Sequence, residues 1–195
     1  MPLPRLVFAT RNPGKVQEIA QLLDGHFQVI GLDEIGCTED VPETAETIQG
    51  NAIQKAEYVK QHYGVDCFAD DTGLEVNALG GAPGVYTARY AGPEKNADAN
   101  MAKLVGALQG SGDRGAQFRT VIALTGPQGT RTFEGICPGT IAPEPSGVDG
   151  FGYDPVFVPR GRDCTFAEMD AAAKNAISHR GTAVRAMVAE LRKDG

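Results

Sequence analysis

The 195-residue sequence has no apolar run long enough to span a bilayer, no C-x-x-C pair and no excess of basic charge. The first absence leaves no candidate membrane-spanning helix. The second concerns Cys37, Cys67, Cys137 and Cys164, which lie far apart. That spacing disfavours zinc and redox motifs, provides no disulfide framework and points to a reducing cytoplasm. A secretory peptide is not expected, because Met1 to Phe8 holds two prolines and only a short strand-like stretch. With 18 Lys and Arg against 25 Asp and Glu, the net charge of −7 would repel a nucleic-acid backbone, so stable nucleic-acid binding is not expected. A small polyanion is a different case. It responds to charges within about a Debye length, roughly 8 Å at physiological salt, so a few basic residues and a cation can outweigh the average.

What is present is ordinary for a globular chain: 42% hydrophobic residues, 22% charged, and 25 Gly with 12 Pro to make frequent turns. This length suits one compact domain, residues 1–195, or a domain with a small second lobe. No internal repeat is visible. Leu6 to Ala9 reads as a buried strand ending in the polar turn Thr10-Arg11-Asn12-Pro13-Gly14. Val16, Ile19, Ala20 and Leu23 then recur with helical spacing, and Phe27 to Ile30 reads as a second strand. After an acidic stretch, Ile48, Ala52, Ala56, Val59 and Tyr63 form one stripe of a second helix. Asn51 and Lys55 share another face. Val65 to Ala69 reads as a strand, with Asp70-Asp71-Thr72-Gly73 where it ends.

A Gly/Pro-rich loop from Gly80 to Gly84 precedes a third helix carrying Met101, Leu104, Val105 and Leu108. Phe118 to Leu124 and Arg131 to Cys137 flank Gly126-Pro127-Gln128-Gly129 as a hairpin. Another apolar run, Val156 to Val158, leads to a last helix with Val184, Met187, Val188 and Leu191. Mixing βαβ units with a hairpin predicts an α/β or α+β fold with a mixed sheet flanked by helices.

Three segments carry chemistry. Thr10 to Lys15 lies between a strand and a helix start, where unsatisfied N–H groups and a partial positive charge suit phosphate. Thr10, Asn12 and Lys15 would add donors. It is not a Walker A loop, since Ala9 and Val16 stand where that motif needs Gly and Ser or Thr. The alternative is a turn that merely starts a helix, with an exposed Arg and Lys. Asp70-Asp71, at the expected end of a strand, offers two carboxylates for Mg²⁺ or for general-base work, and equally reads as a turn. Upstream, Glu39, Asp40, Glu43 and Glu46 offer a further metal ligand. In the third segment, Phe151-Gly152-Tyr153-Asp154, Phe151 could stack on a base and Asp154 accept from ring N–H groups. Lys174, Ser178, His179 and Arg180 follow as donors for a purine carbonyl. Here the alternatives are a core strand edge for Phe-Gly-Tyr and a helix cap for Ser178.

Taken in order, these segments resemble the inosine/xanthosine triphosphate pyrophosphatases, the Ham1-like noncanonical purine NTP pyrophosphatases. The resemblance runs nearly end to end. It rests on Ala9 to Lys15, Glu43 to Ala56, Ala69 to Leu74, Leu79 to Tyr90, Gly150 to Pro155 and Lys174 to Gly181. It implies an elongated mixed α/β fold of two lobes with a central nucleotide cleft, Mg²⁺ as cofactor and a homodimer. The implied reaction is hydrolysis of inosine, deoxyinosine or xanthosine triphosphate to the monophosphate and pyrophosphate, keeping such bases out of DNA and RNA. Residues 10 to 15 (Thr10, Arg11, Asn12, Pro13, Gly14, Lys15) would hold the triphosphate. Asp71 would be proton acceptor and metal ligand with Glu43, supported by Asp70 and Lys55. Asn51, Thr72, Phe151, Gly152, Tyr153, Asp154, Lys174, His179 and Arg180 would bind substrate.

Two departures stand out. Where relatives often read Glu-Thr-Gly-x-Thr-Phe-x-Glu-Asn, this chain has Ala45 for the Gly and Gly50 for the acid, which bears on where the second helix starts. Before Lys174, Ala171-Ala172-Ala173 replaces acidic residues, which bears on the mobility of that segment. A pyrophosphatase for modified pyrimidine nucleotides and a nucleotide sensor without hydrolysis are the competing readings. A substrate panel separates the first, and the presence of Glu43, Asp70 and Asp71 argues against the second.

Overall fold

The computed structural model describes residues 3–193, which form a mixed α/β fold. The chain divides into two compact units: Met1–Asp71, Thr120–Gly135 and Arg180–Gly195 make the first, and Thr72–Arg119 and Ile136–His179 the second. Strand order in the sheet is β2-β1-β3-β5-β6-β7, with β4 paired to β3 off this path.

In the first unit, β1 (Arg5–Phe8) pairs in parallel with β2 (Gln28–Ile30) on one side and β3 (Cys67–Val76) on the other. The turn after β1 starts α1 (Pro13–Leu22) with Asn12 as its N-cap and Pro13 in the first turn, where a missing N–H costs nothing. Ile19 and Leu23 are buried and Val16 half-buried, whereas Ala20 turns to solvent, so the apolar stripe is narrower than its spacing suggested. Helix α2 (Ile48–Tyr63) is capped by Thr47, whose side chain accepts from Gly50 N–H, and it ends on left-handed Gly64. Ile48, Ala52, Ala56 and Val59 are its buried apolar face. Phe8 stacks on Phe68 with centroids 4.4 Å apart, and Ile19, Leu23, Ile122, Leu124, Val184 and Met187 complete this core. The last two come from α5 (His179–Leu191).

Glycine at residue 50 fits its surroundings sterically. A Cβ there would lie 2.8 Å from the Ala45 Cβ and 2.9 Å from the Thr47 hydroxyl. The methyl group that this chain carries at residue 45 occupies space that a side chain at 50 would need.

The second unit holds α3 (Ala97–Ala107), the two-residue β4 (Pro83–Gly84), β7 (Phe157–Pro159) and α4 (Ala171–Ile177). Its core gathers Leu74, Met101, Leu104, Leu108, Phe118, Phe157 and Phe166. The hairpin strands β5 (Gly115–Gly126) and β6 (Gly129–Ile141) are longer than their apolar runs indicated and turn over Pro127-Gln128. Ala171-Ala172-Ala173, where the sequence departs from the family pattern, opens a helix. Alanine is the best helix former, and Asp170 caps it by accepting from Ala173 N–H.

Asp70-Asp71 does not end its strand: β3 runs on to Val76. The pairing with β1 stops at Phe8 opposite Phe68, with Ala9 N–H still donating to Phe68 C=O at 2.8 Å. The two aspartates therefore lie beyond the carboxyl end of β1 while the strand that carries them continues. β5 and β4 supply β3 with other neighbours, which a single-strand pattern cannot show.

Candidate functional site

The turn after β1 is built from its own side chains. Thr10 Oγ1 accepts from Asn12 N–H at 3.2 Å, and Asn12 Oδ1 accepts from Lys15 N–H at 3.2 Å. Pro13 is exposed and Gly14 half-buried at the start of α1. Lys15 turns inward and donates to Asp70 Oδ1 at 2.9 Å. Burial pushes the ammonium's proton affinity down, only partly offset by Asp70. Arg11 points elsewhere, donating to Asp33 Oδ1 at 2.9 Å, Cys37 C=O at 2.6 Å and Glu39 C=O at 3.2 Å.

Asp70 is fully buried and divides its two oxygens between cations. Oδ1 takes Lys15, and Oδ2 takes Arg180 Nε at 3.1 Å. Arg180, also buried, reaches Glu18 of α1 with Nη1. Burial alone would raise the Asp70 carboxyl, but the charges of Lys15, Arg180 and Lys55 outweigh it and hold the group well below the usual carboxylate range. It is a locked counter-ion.

Asp71 has a different environment. Oδ2 accepts from Asn51 Nδ2 at 3.2 Å, and Oδ1 lies 4.0 Å from Lys55 Nζ. Lys55 donates to Glu43 Oε1 at 2.5 Å and to Asp70 C=O at 2.7 Å. Burial raises the Asp71 carboxyl, Lys55 and Lys15 pull it down, Glu43 pushes it up again, and the net direction is upward. For Lys55, burial is outweighed by Glu43, Asp71 and Asp70, and the ammonium is held above its ordinary value. Asn51 Oδ1 accepts from Ala45 N–H at 2.9 Å, which fixes the amide so that its NH₂ faces Asp71.

The first unit thus gathers three cations, Lys15, Lys55 and Arg180, with four carboxylates, Glu18, Glu43, Asp70 and Asp71. No group of three or more His, Cys, Asp or Glu side chains among the described residues is placed to hold a metal by itself. Glu43 and Asp71, both against Lys55, are hard oxygen donors of the kind that could hold a Mg²⁺ ion completed by water and phosphate oxygens.

The second unit brings together another set. Asp154 Oδ2 accepts from Phe151 N–H at 2.9 Å and from Lys174 Nζ at 2.7 Å. That carboxylate touches the space of Gly150, whose left-handed φ of 77° lets the chain bend there and where a Cβ would collide with Asp154. Lys174 Nζ lies 5.3 Å from the Phe151 ring centre and 5.6 Å from that of Phe166. Gly152 is half-buried in the same turn. Tyr153 is buried and donates its hydroxyl to Thr87 C=O at 2.8 Å, so it tethers two segments of the unit and leaves Phe151 as the motif's half-exposed ring. His179 is buried, stacked on Phe118 with centroids 4.5 Å apart. Thr72, the first residue of this unit, is half-buried on β3.

Sequence reasoning missed Glu18, Phe118 and Phe166. Glu18 had a legible signal, lying one turn beyond Lys15 on α1, where residues three apart are neighbours. The two phenylalanines had none beyond being apolar. It also missed Gln54 and Tyr58, which extend the face of Asn51 and Lys55 at helical spacing.

These sets define a class: a mixed α/β protein whose ion cluster suits a phosphorylated compound and whose aromatic and lysine set suits a flat polar ring. The comparisons make that specific. A sequence model of the Ham1 family matches residues 6–190. The dITP/XTP pyrophosphatase of Porphyromonas gingivalis is 58% identical over 183 residues, covering 93% of this chain and 94% of that protein. That of Christiangramia forsetii is 53% identical, covering 97% and 100%. The solved structure of the Staphylococcus aureus Ham1 protein superposes with a TM-score of 0.88 at 40% identity, covering 98% of this chain and all of that one. The chain belongs to the Ham1 family.

Proposed function

We propose that this protein is a dITP/XTP pyrophosphatase, hydrolysing noncanonical purine nucleoside triphosphates to the monophosphate and pyrophosphate. The observation that carries the chemistry is the contrast between adjacent aspartates: Asp70 is locked between two cations, whereas Asp71 is held by an amide at 3.2 Å and an ammonium 4.0 Å away. A base needs a carboxylate that is oriented but not tied up in ion pairs. Asp71 takes the proton from the water that attacks the α-phosphorus, and Asn51 and Lys55 hold it in place. Lys15 and Lys55 face the charge of the phosphate chain.

The same cluster supports a need for a divalent cation. With four carboxylates against three cations it is negative overall, so a triphosphate cannot be neutralised by protein groups alone. Glu43 and Asp71 would hold Mg²⁺, which supplies charge neutralisation for the phosphate chain and the departing pyrophosphate.

Base reading falls to the second unit. Phe151 offers a stacking face, and Lys174 and His179 offer donors to the carbonyl that hypoxanthine and xanthine carry at position 6. Adenine presents an amino donor there. A buried donor left facing a donor costs about 1–3 kcal/mol, roughly tenfold to a hundredfold in selection. The cytoplasm as location, where the four free thiols stay reduced, and a homodimeric state follow from composition and resemblance and belong to the same proposal.

The test is a panel of dITP, ITP, XTP, the common purine triphosphates and modified pyrimidine triphosphates, with Mg²⁺ present or chelated and products resolved. Monophosphate plus pyrophosphate from the first three, lost on chelation, is expected. Orthophosphate as product would reject the reaction, and equal turnover without a divalent ion would reject the metal. Sedimentation at micromolar protein reads the dimer.

A further inference from the structure

Between Asp33 and Ala45 the chain has no regular structure after the short 3-10 turn Asp33–Ile35, yet it is held from two directions. Helix α2 holds it on one side. Ala45 N–H donates to Asn51 at 2.9 Å, and Thr44 and Gln54 exchange two bonds of 2.8 Å. Lys55 pairs with Glu43 at 2.5 Å, and the Tyr58 and Tyr63 hydroxyls reach Glu39 Oε1 at 3.2 and 2.5 Å. Asn51, Gln54, Lys55 and Tyr58 are spaced i, i+3, i+4, i+7, one polar stripe beside the buried apolar one. On the other side stands Arg11, with one guanidinium serving a carboxylate and two backbone carbonyls of residues 33 to 39.

A carboxylate on irregular backbone is placed only as well as that backbone is held. We propose that Arg11 is a positioning residue: it clamps segment 33–39 and thereby sets the placement of Glu43, instead of binding the phosphate chain beside its neighbour Lys15. The proposal rests on the reading of Glu43 as a cation-binding group. Arginine suits the task because its planar fork reaches several acceptors at once, which a lysine ammonium does with less geometric control.

Asp33, 85% exposed, separates the alternatives by sign. If Arg11 served phosphate, Asp33 would be a competing anion, and Asp33→Ala would tighten nucleotide binding. If Arg11 is a clamp, Asp33→Ala removes one of its three anchors and loosens the segment.

The experiment uses the nucleotide-free protein with Mn²⁺ as probe, followed by electron paramagnetic resonance, together with amide hydrogen exchange over residues 33 to 45 and nucleotide KM at saturating metal. Arg11→Ala is expected to weaken Mn²⁺ binding about tenfold, as loss of residues that orient a metal ligand typically does. It should also speed exchange across 33 to 45 with little change in nucleotide KM. Arg11→Lys should recover part of the loss, and Asp33→Ala should act in the same direction more weakly. Unchanged Mn²⁺ binding and exchange with a raised nucleotide KM in Arg11→Ala, or a lowered KM in Asp33→Ala, would overturn the proposal. Glu43→Gln distinguishes the two levels. If it leaves Mn²⁺ binding unchanged, the reading of Glu43 fails; if it weakens Mn²⁺ while Arg11→Ala does not, the clamp fails with that reading intact.

Discussion

The first unit's cluster and the second unit's cluster solve the burial of charge in opposite ways. In the first, Lys15, Asp70, Arg180 and Glu18 neutralise one another in a chain of ion pairs, and Lys55 stands among Glu43, Asp71 and the Asp70 carbonyl. In the second, Lys174 pairs with Asp154 against Phe151 and Phe166, while His179 lies against Phe118. A network of charges gives strong local fields and a carboxylate with altered proton affinity, which suits bond breaking. Rings around one pair and one imidazole give shape and hydrogen-bond direction with little net field, which suits selection.

That contrast breaks most sharply at Asp71. Asp71→Asn should fold normally yet lose about a hundredfold to ten-thousandfold in turnover, the usual weight of a positioned base. Steady-state rates beside a thermal melt check it, and near-wild-type turnover would move the base elsewhere. Asp70→Asn should show the reverse profile, a stability defect first. Removing one partner leaves Lys15 and Arg180 buried without their shared carboxylate, a loss of about 3–5 kcal/mol in denaturant titrations.

The same residue fixes a pH signature. Because the folded Asp70 carboxyl sits below its unfolded value of about 3.9, its contribution is complete above that pH and drains away as pH falls through the lower folded value. Wild-type protein should lose stability steeply below about pH 4, and Asp70→Asn should lose that part of the slope. An identical acid slope in both would mean that other carboxylates dominate.

The second unit should respond in selectivity. For His179→Ala, the preference for inosine over adenosine triphosphate should fall about tenfold to a hundredfold, with a smaller change in turnover of the better substrate. Equal losses on both substrates would make the imidazole a packing element only. The smallest effect is steric. Gly50→Ala should destabilise by about 1 kcal/mol although alanine favours helices, because its methyl would meet Ala45, and Ala45→Gly should relieve it in a double-mutant cycle.

How far the sequence could be read depended on the range of each interaction. The strand-turn-helix at Leu6 to Leu23, the two faces of α2 and the Pro127-Gln128 hairpin depend on neighbours a few residues away, and their periodicity was visible. The Ala-rich start of α4 also lies within reach of local cues, since alanine favours helices and Asp170 supplies the cap. For the continuation of β3 past Asp71 there was no local cue, since its later neighbours come from residues 83–84 and the 115–126 strand. Asp70 and Asp71 read alike as letters; partners 55 and 110 residues away made one a counter-ion, and a residue 20 positions back holds the other.

By itself, then, the sequence determined which chemical groups exist, their local spacing and the family pattern: an oxygen-rich, lysine-containing first half and an aromatic, donor-bearing second. Only the tertiary structure decided which charge faces which, because pairing energies depend on distance and burial, and neither is written into the order of residues. Arg11 and Lys15 show this within one turn. Four residues apart on the chain, one clamps a loop and the other turns inward to Asp70.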